Sequence, residues 1–167
     1  IVGNVGPGIV PSVAPTDAPL NFPGSVTPIA TVTHCTVSEN AGYVSELLSL
    51  INDARRAVGL PALTVQSQLT SAAHSHSNDM ACNNFLAHNG SDGSWIDARL
   101  RAAGYAYTYF LEIIAIGTPQ DALNQWRADA EHWAAVLDSS ATEVGIGYAY
   151  NAQSDFGGYF TVDLGSR

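Results

Sequence analysis

The chain contains no lysine. Its six basic residues are all arginine, set against 15 acidic residues, for a net charge of −9 over 167 residues. An acidic chain with no basic cluster excludes nucleic acid and anionic membrane surfaces as electrostatic partners. Long hydrophobic runs are also missing: no apolar stretch approaches the roughly 18 residues a membrane span needs, so no span is predicted. Several chemical signatures are absent as well. There is no HExxH helix, no Gly-x-Ser-x-Gly elbow and no phosphate-cradling glycine loop, which leaves zincin, serine-nucleophile and nucleotide chemistry without support. Cysteine is scarce, with only Cys35 and Cys82. An even count with no CxxC and no zinc-type spacing fits one disulfide better than a metal site. Closing that loop is worth roughly 4 kcal/mol in the chain-entropy model. A disulfide implies an oxidising compartment and hence export, the alternative being two buried thiols in a reducing one. The opening Ile1 in place of Met fits a mature or trimmed form, from which a signal peptide could have been removed.

What is present divides the chain in two. Residues 1–42 carry prolines at 7, 11, 15, 19, 23 and 28 and no lysine or arginine, a spacing that forbids a helix and confines strands to edges. Ile, Val, Leu and Phe recur among them, so the segment reads as an extended apolar arm that needs a surface, on its own domain or on a neighbouring copy. The competing reading is a disordered stalk, open to O-glycosylation. From Tyr43 the pattern turns helical. Val44, Leu47, Leu48, Ile51 and Val58 recur at steps of three and four, and Gly59 and Pro61 end the run. A second helix is predicted over 67–83, with His76 inward and His74 outward. Residues 95–103 suit a short helix, and Tyr105 to Ile116 a β-rich run, closed by Gly117-Thr118-Pro119. A helix through Trp126 follows, then a shorter helical piece over 132–137. Two alternating strands, 143–150 and 157–165, suggest an antiparallel hairpin. Helices packed on a small sheet make an α+β domain over 43–167.

The chemistry concentrates between His88 and His132. Glu112 lies inside the apolar run FLEIIAIG, where a charge is costly unless compensated. His88, in a loop that can aim it, and His132 are partners of the right kind. Asp129, three residues after Trp126, is a second acid, better placed than Glu131 beside His132. Either these four line a small cavity, with His76 supporting it, or Glu112 sits on the open face of an edge strand and the histidines are incidental. Asn89-Gly90-Ser91 matches a glycosylation acceptor.

In order and spacing, LLSLINDARRAVGLPAL, LTSAAHSHSNDMA, FLAH, DARLRAAGY, LEIIAIG, Trp126 to His132 and EVGIGYAY resemble the CAP superfamily (SCP or pathogenesis-related-1-like), bacterial secreted branch, over about 43–165. The resemblance implies an α-β-α sandwich around a central antiparallel sheet. It also implies a cleft of two histidines and two acids that in some members binds a divalent metal, often zinc. By position these are His88, Glu112, His132 and Asp129. The family's Gly-Glu-Asn-Ile-Ala is here Leu111-Glu112-Ile113-Ile114-Ala115, and its Ser-Pro-Gly-His is Asp129-Ala130-Glu131-His132, so an orienting asparagine is missing.

Three functions follow as expectations. The first is a secreted, non-enzymatic module that binds a small lipid, a glycan or a protein, with one Zn2+ or other divalent ion in the cleft. The second is a subunit of a surface assembly or filament, self-associating through residues 1–34 docked on the next copy. The third is a metal-dependent hydrolase, in which the metal would acidify a bound water.

Overall fold

The computed structural model describes residues 35–167; expectations about residues 1–34 lie outside them. Nine elements follow one another: α1 (Ala41–Ala57), β1 (Thr64–Val65), α2 (Ser67–Asn83), α3 (Ile96–Ala102), β2 (Tyr109–Ile116), α4 (Pro119–Ala128), α5 (Ala130–Val136), β3 (Glu143–Tyr150) and β4 (Gly158–Ser166). The strands form one sheet in the order β1-β3-β4-β2. Only β1 is parallel to its neighbour, and β3 and β4 form the expected antiparallel hairpin. No helix among the described residues is long and apolar enough to cross a membrane.

Strand alternation splits the domain into layers. On one face, three cross-strand rows stack: Leu111, Leu164 and Val144; Ile113, Val162 and Ile146; Ala115, Phe160 and Tyr148. These rows pack against Leu47 and Ile51 of α1, Ala122 and Trp126 of α4, and Val136 of α5, forming the larger core. On the opposite face α2 crosses β3 and β4, and α3 packs on α2 through Leu69, Ala72, Ile96 and Leu100. The domain is therefore an α-β-α sandwich.

Small residues set the depth of the α2 contact. A Cβ added to Gly145 would fall 2.0 Å from the Leu69 carbonyl carbon, and one added to Gly147 would fall 2.4 Å from that of Ala73. The helix backbone lies directly on the strand at these two positions, and its own face there is Ala72, Ala73 and Ser77, all buried. Ser77 Oγ donates to Thr161 Oγ1 at 2.9 Å, so these two buried hydroxyls of the seam satisfy each other.

The edges are closed locally. β2 is an edge strand, and α4 covers its outer rim: Trp126 Nε1 donates to the Ile114 carbonyl at 2.9 Å, and the Gln125 amide bonds both Ile116 N–H and C=O. Arg55 is fully buried and donates to the carbonyls of Pro61, Val136, Asp138 and Ala141, tying α1 to the chain after α5. Cys35 and Cys82 are joined in a disulfide across a separation of 47 residues. Ser38 bridges Tyr150, so the root of the arm is fastened to the sheet.

Three local expectations are corrected. Val58 is 58% exposed, because α1 ends at Ala57 and the chain turns at Gly59, which has φ 80°. The β-rich run does not begin at Tyr105. That ring lies over Gly165 and its hydroxyl donates to Glu143 Oε2 at 2.6 Å, which holds 105–108 out of strand geometry until Tyr109. The last short helix starts at Ala130 rather than 132, since Asp129 caps it.

Because a methyl group at Gly145 or Gly147 meets backbone rather than a movable side chain, Gly147→Ala should cost at least about 3 kcal/mol, the upper end of ordinary overpacking. Urea denaturation measures it. A change below about 1 kcal/mol would show that α2 does not lie on β3 as described.

Candidate functional site

Strand β2 turns Glu112 toward α2, in register with Asp163 of β4, which in turn faces Gly145. With α2 and α3 packed over it, the carboxylate is completely removed from solvent. Both of its oxygens are taken. Oε1 accepts from His88 Nδ1 at 2.8 Å, and Oε2 accepts from Arg99 Nη2 at 2.6 Å. His76 Nε2 lies 4.0 Å from Oε1 but donates to the Ala87 carbonyl at 2.9 Å. Hydrogen bonds from His88 and the nearby positive charge of Arg99 overcome burial and hold Glu112 below the usual carboxylate range.

Arg99 organises the loop that follows α2. Besides Glu112, it donates to the His88 carbonyl at 3.1 Å and the Ser94 carbonyl at 3.0 Å. Asp79 latches the same loop from α2, accepting from the Ser91 amide and hydroxyl. His88 is therefore fixed through its ring, its own carbonyl and the loop around it. A carboxylate only accepts, so His88 carries its hydrogen on Nδ1, and Nε2 is left as the outward nitrogen of a partly exposed ring.

Asp163 completes the cluster. It is fully buried, and neither carboxyl oxygen has a conventional donor. One arginine cannot balance two buried carboxylates. His76 cannot supply the missing charge, since burial pushes its pKa down. Burial, and then the neighbouring Glu112 charge, raise Asp163 well above the carboxylate range, so it keeps its proton while Glu112 carries the charge.

The four cleft residues expected from the sequence fall into two pairs. His88 and Glu112 meet as described. Asp129 and His132 meet each other at the α4–α5 junction, in the layer on the other face of the sheet: Asp129 Oδ1 accepts from the Glu131 and His132 amides and from His132 Nδ1 at 2.9 Å. The His132 amide and ring lead the set of hydrogen bonds that draws Asp129 below its ordinary value. Among the described residues no group of three or more His, Cys, Asp or Glu is placed to hold a metal. His76 is buried beside the first pair, and His74 points outward to Glu39. Asn89 is exposed on the loop.

Arg99 and Asp163 were not anticipated. Arg99 was legible, since Ile96, Leu100 and Ala103 leave it at the i+3 position of an apolar helical stripe, where a charged residue implies a buried partner. Asp163 was not, because strand alternation alone assigns its face to solvent.

A family model described as "CAP: Cysteine-rich secretory protein family" matches residues 48–164. The YkwD protein of Bacillus subtilis (strain 168) is 29% identical over 114 residues, 66% of this chain and 44% of the relative. Among solved structures, an extracellular SCP-domain protein of Bacillus anthracis str. Ames superposes with TM-score 0.68 at 24% identity, over 77% of this chain and 41% of that one. An outer surface protein of Borrelia burgdorferi gives TM-score 0.72 at 19% identity, over 80% of this chain and 98% of that one. These structures establish the fold. The chain spans less than half the length of YkwD and of the B. anthracis protein.

Two predictions follow from the buried cluster. Arg99→Met leaves Glu112 uncompensated and should destabilise the fold by about 3–5 kcal/mol in urea denaturation; a near-neutral result would deny the pairing. Asp163 binds its proton more tightly folded than unfolded, so its contribution is complete below the unfolded pKa, about 4. That contribution is lost as pH rises through the raised folded value, with a slope approaching about 1.4 kcal/mol per pH unit. Asp163→Asn should remove this decline above about pH 4. Parallel stability profiles for the two proteins would refute the assignment.

Proposed function

The chain belongs to the CAP, or cysteine-rich secretory protein, family, and from that premise we propose that it is an extracellular, non-enzymatic binding module whose working group is the His88 imidazole. The observation that carries the reading is the saturation of Glu112 by His88 and Arg99. A carboxylate so occupied orients its histidine and does not itself reach a ligand. No hydroxyl or thiol among the described residues is hydrogen-bonded to the His88 ring, and both cysteines are oxidised, so the arrangement favours binding over nucleophilic hydrolysis. The disulfide and the extracellular or surface description of the two structural neighbours support export.

A four-ligand metal set does not fit this geometry, because the Glu112 oxygens are filled and Asp129 is engaged as a helix cap. Imidazole ligation does fit. His88 and His132 each have Nδ1 on a carboxylate and Nε2 unengaged, the arrangement in which outer-shell carboxylates orient metal-binding histidines. A divalent ion, zinc first, would be taken by His88, with His132 the second candidate, and would offer its open positions to a lipid, glycan or protein ligand. Calorimetric titration of the metal-stripped chain with Zn2+ tests this. The expected result is one site, weakened at least about tenfold in His88→Ala, equivalent to about 1.4 kcal/mol. Equal binding by the variant would sink the metal-binding part of the reading.

A second reading is favoured by the fastened root of the arm. The disulfide and the Ser38–Tyr150 bridge hold residues 35–38 to the domain, and Tyr150 and Phe156, both exposed, lie in the same hairpin. A surface assembly in which residues 1–34 engage a neighbouring copy would use that anchorage. Light scattering should then give a mass above the monomer for the full chain and a monomer once residues 1–34 are removed. A monomer in both cases excludes it.

A further inference from the structure

On the far side of Arg99 from Glu112 lies a cleft of about 510 Å³, bounded by α2, the loop after it and α3. Its walls carry oxygen: Ser75 and Asp79 from α2, and Ser91, Asp92 and Ser94 from the loop. The α3 side is kept open by Ala98 and Ala102. His76 and Arg99 form the inner wall, with side chains 0% and 8% exposed. Each keeps one polar atom with no protein partner, His76 Nδ1 and Arg99 Nε. Their hydrogen-bonding characters are fixed and opposite. Because His76 Nε2 donates to the Ala87 carbonyl, Nδ1 of the neutral ring is an acceptor, whereas Arg99 Nε–H only donates. A group that can both give and take serves this wall, and a hydroxyl does so.

The remaining features narrow the class. Asp79 and Asp92 repel an anion, which disfavours phosphate, sulfate and carboxylate ligands. A preformed metal cage is not what the cleft offers, since His76 Nε2 is spent on the Ala87 carbonyl and Asp79 on Ser91. Neutral ligands bearing several hydroxyls present donors to the carboxylates and both donors and acceptors to the serines. We propose that this cleft binds one saccharide unit of a neutral glycan. It does so independently of any metal at His88.

Amide NMR of the full chain in EDTA, titrated separately with the methyl glycosides of glucose, galactose and N-acetylglucosamine, tests the proposal. At least one sugar should give saturable shifts confined to residues 75–79 and 90–99, with a Kd on the order of 1 mM. Asp92→Asn and the cleft-filling Ala98→Phe, both at exposed positions, should weaken it at least tenfold while the rest of the spectrum is preserved. Sugar binding should be the same in EDTA and in Zn2+, because His88 is not among the residues lining the cleft. No saturable shift with any sugar overturns the proposal, as does undiminished binding in both Asp92→Asn and Ala98→Phe. Saturable shifts centred on His88 or His132 rather than on residues 75–79 and 90–99 would place the ligand at the proposed histidine site instead, and would overturn it too. Shifts at these residues with Ca2+ but with none of the sugars would show a cation site.

Discussion

Removing a carboxylate from water is among the costliest things a fold can do, and this one does it at Glu112. The cost is offset only if charge and hydrogen bonds arrive together, and three separate pieces of chain supply them. Arg99 comes from α3, His88 from the loop after α2, and the proton that Asp163 retains comes with β4. None of these can shift far without leaving a buried charge unpaired. The position of α3, the path of the loop and the orientation of His88 are thus consequences of one electrostatic requirement.

That requirement exists because α2 closes the sheet. Had β3 carried side chains at 145 and 147, the helix would stand off and water would reach Glu112. With glycine at both, Leu69 and Ala73 bring their backbones onto the strand, and low dielectric follows from contact. The same seam explains why His76 is neutral and why Asp163 holds its proton. Packing at one pair of glycines and ionisation two strands away are the same physical fact.

Much of this was legible in the sequence. The helices were read from their apolar spacing, the hairpin from strand alternation, and the disulfide from cysteine arithmetic. Glu112 stood out because a charge inside FLEIIAIG demands a partner. Its strongest partner did not stand out, although Arg99 occupies an apolar stripe position in α3 and could have been found by the same rule. Asp163 was beyond reach for a different reason. In Phe160 to Gly165 the alternation of large apolar with small or polar residues describes a half-exposed strand, and only the arrival of α2 on the second face reverses it. Asp129 illustrates a third limit. Spacing places a residue along the chain, but whether its carboxylate serves a cleft or a helix terminus depends on where the backbone breaks, and here α4 ends and α5 begins at that residue.

The two histidine–carboxylate pairs look chemically alike and differ physically. Asp129 and His132 are partly open to water, where such a pair contributes little and reorients easily. Glu112 and His88 form their bond where the carboxylate has no water to turn to and where Arg99 holds the other oxygen. An imidazole held this way presents Nε2 at a fixed place and angle, and a ligand meeting it loses little of its binding free energy to ordering the protein. A ligand held by His88 would therefore be selected on the α2–α3 side of the sheet, and His132 would add to that binding only if the ligand drew it in.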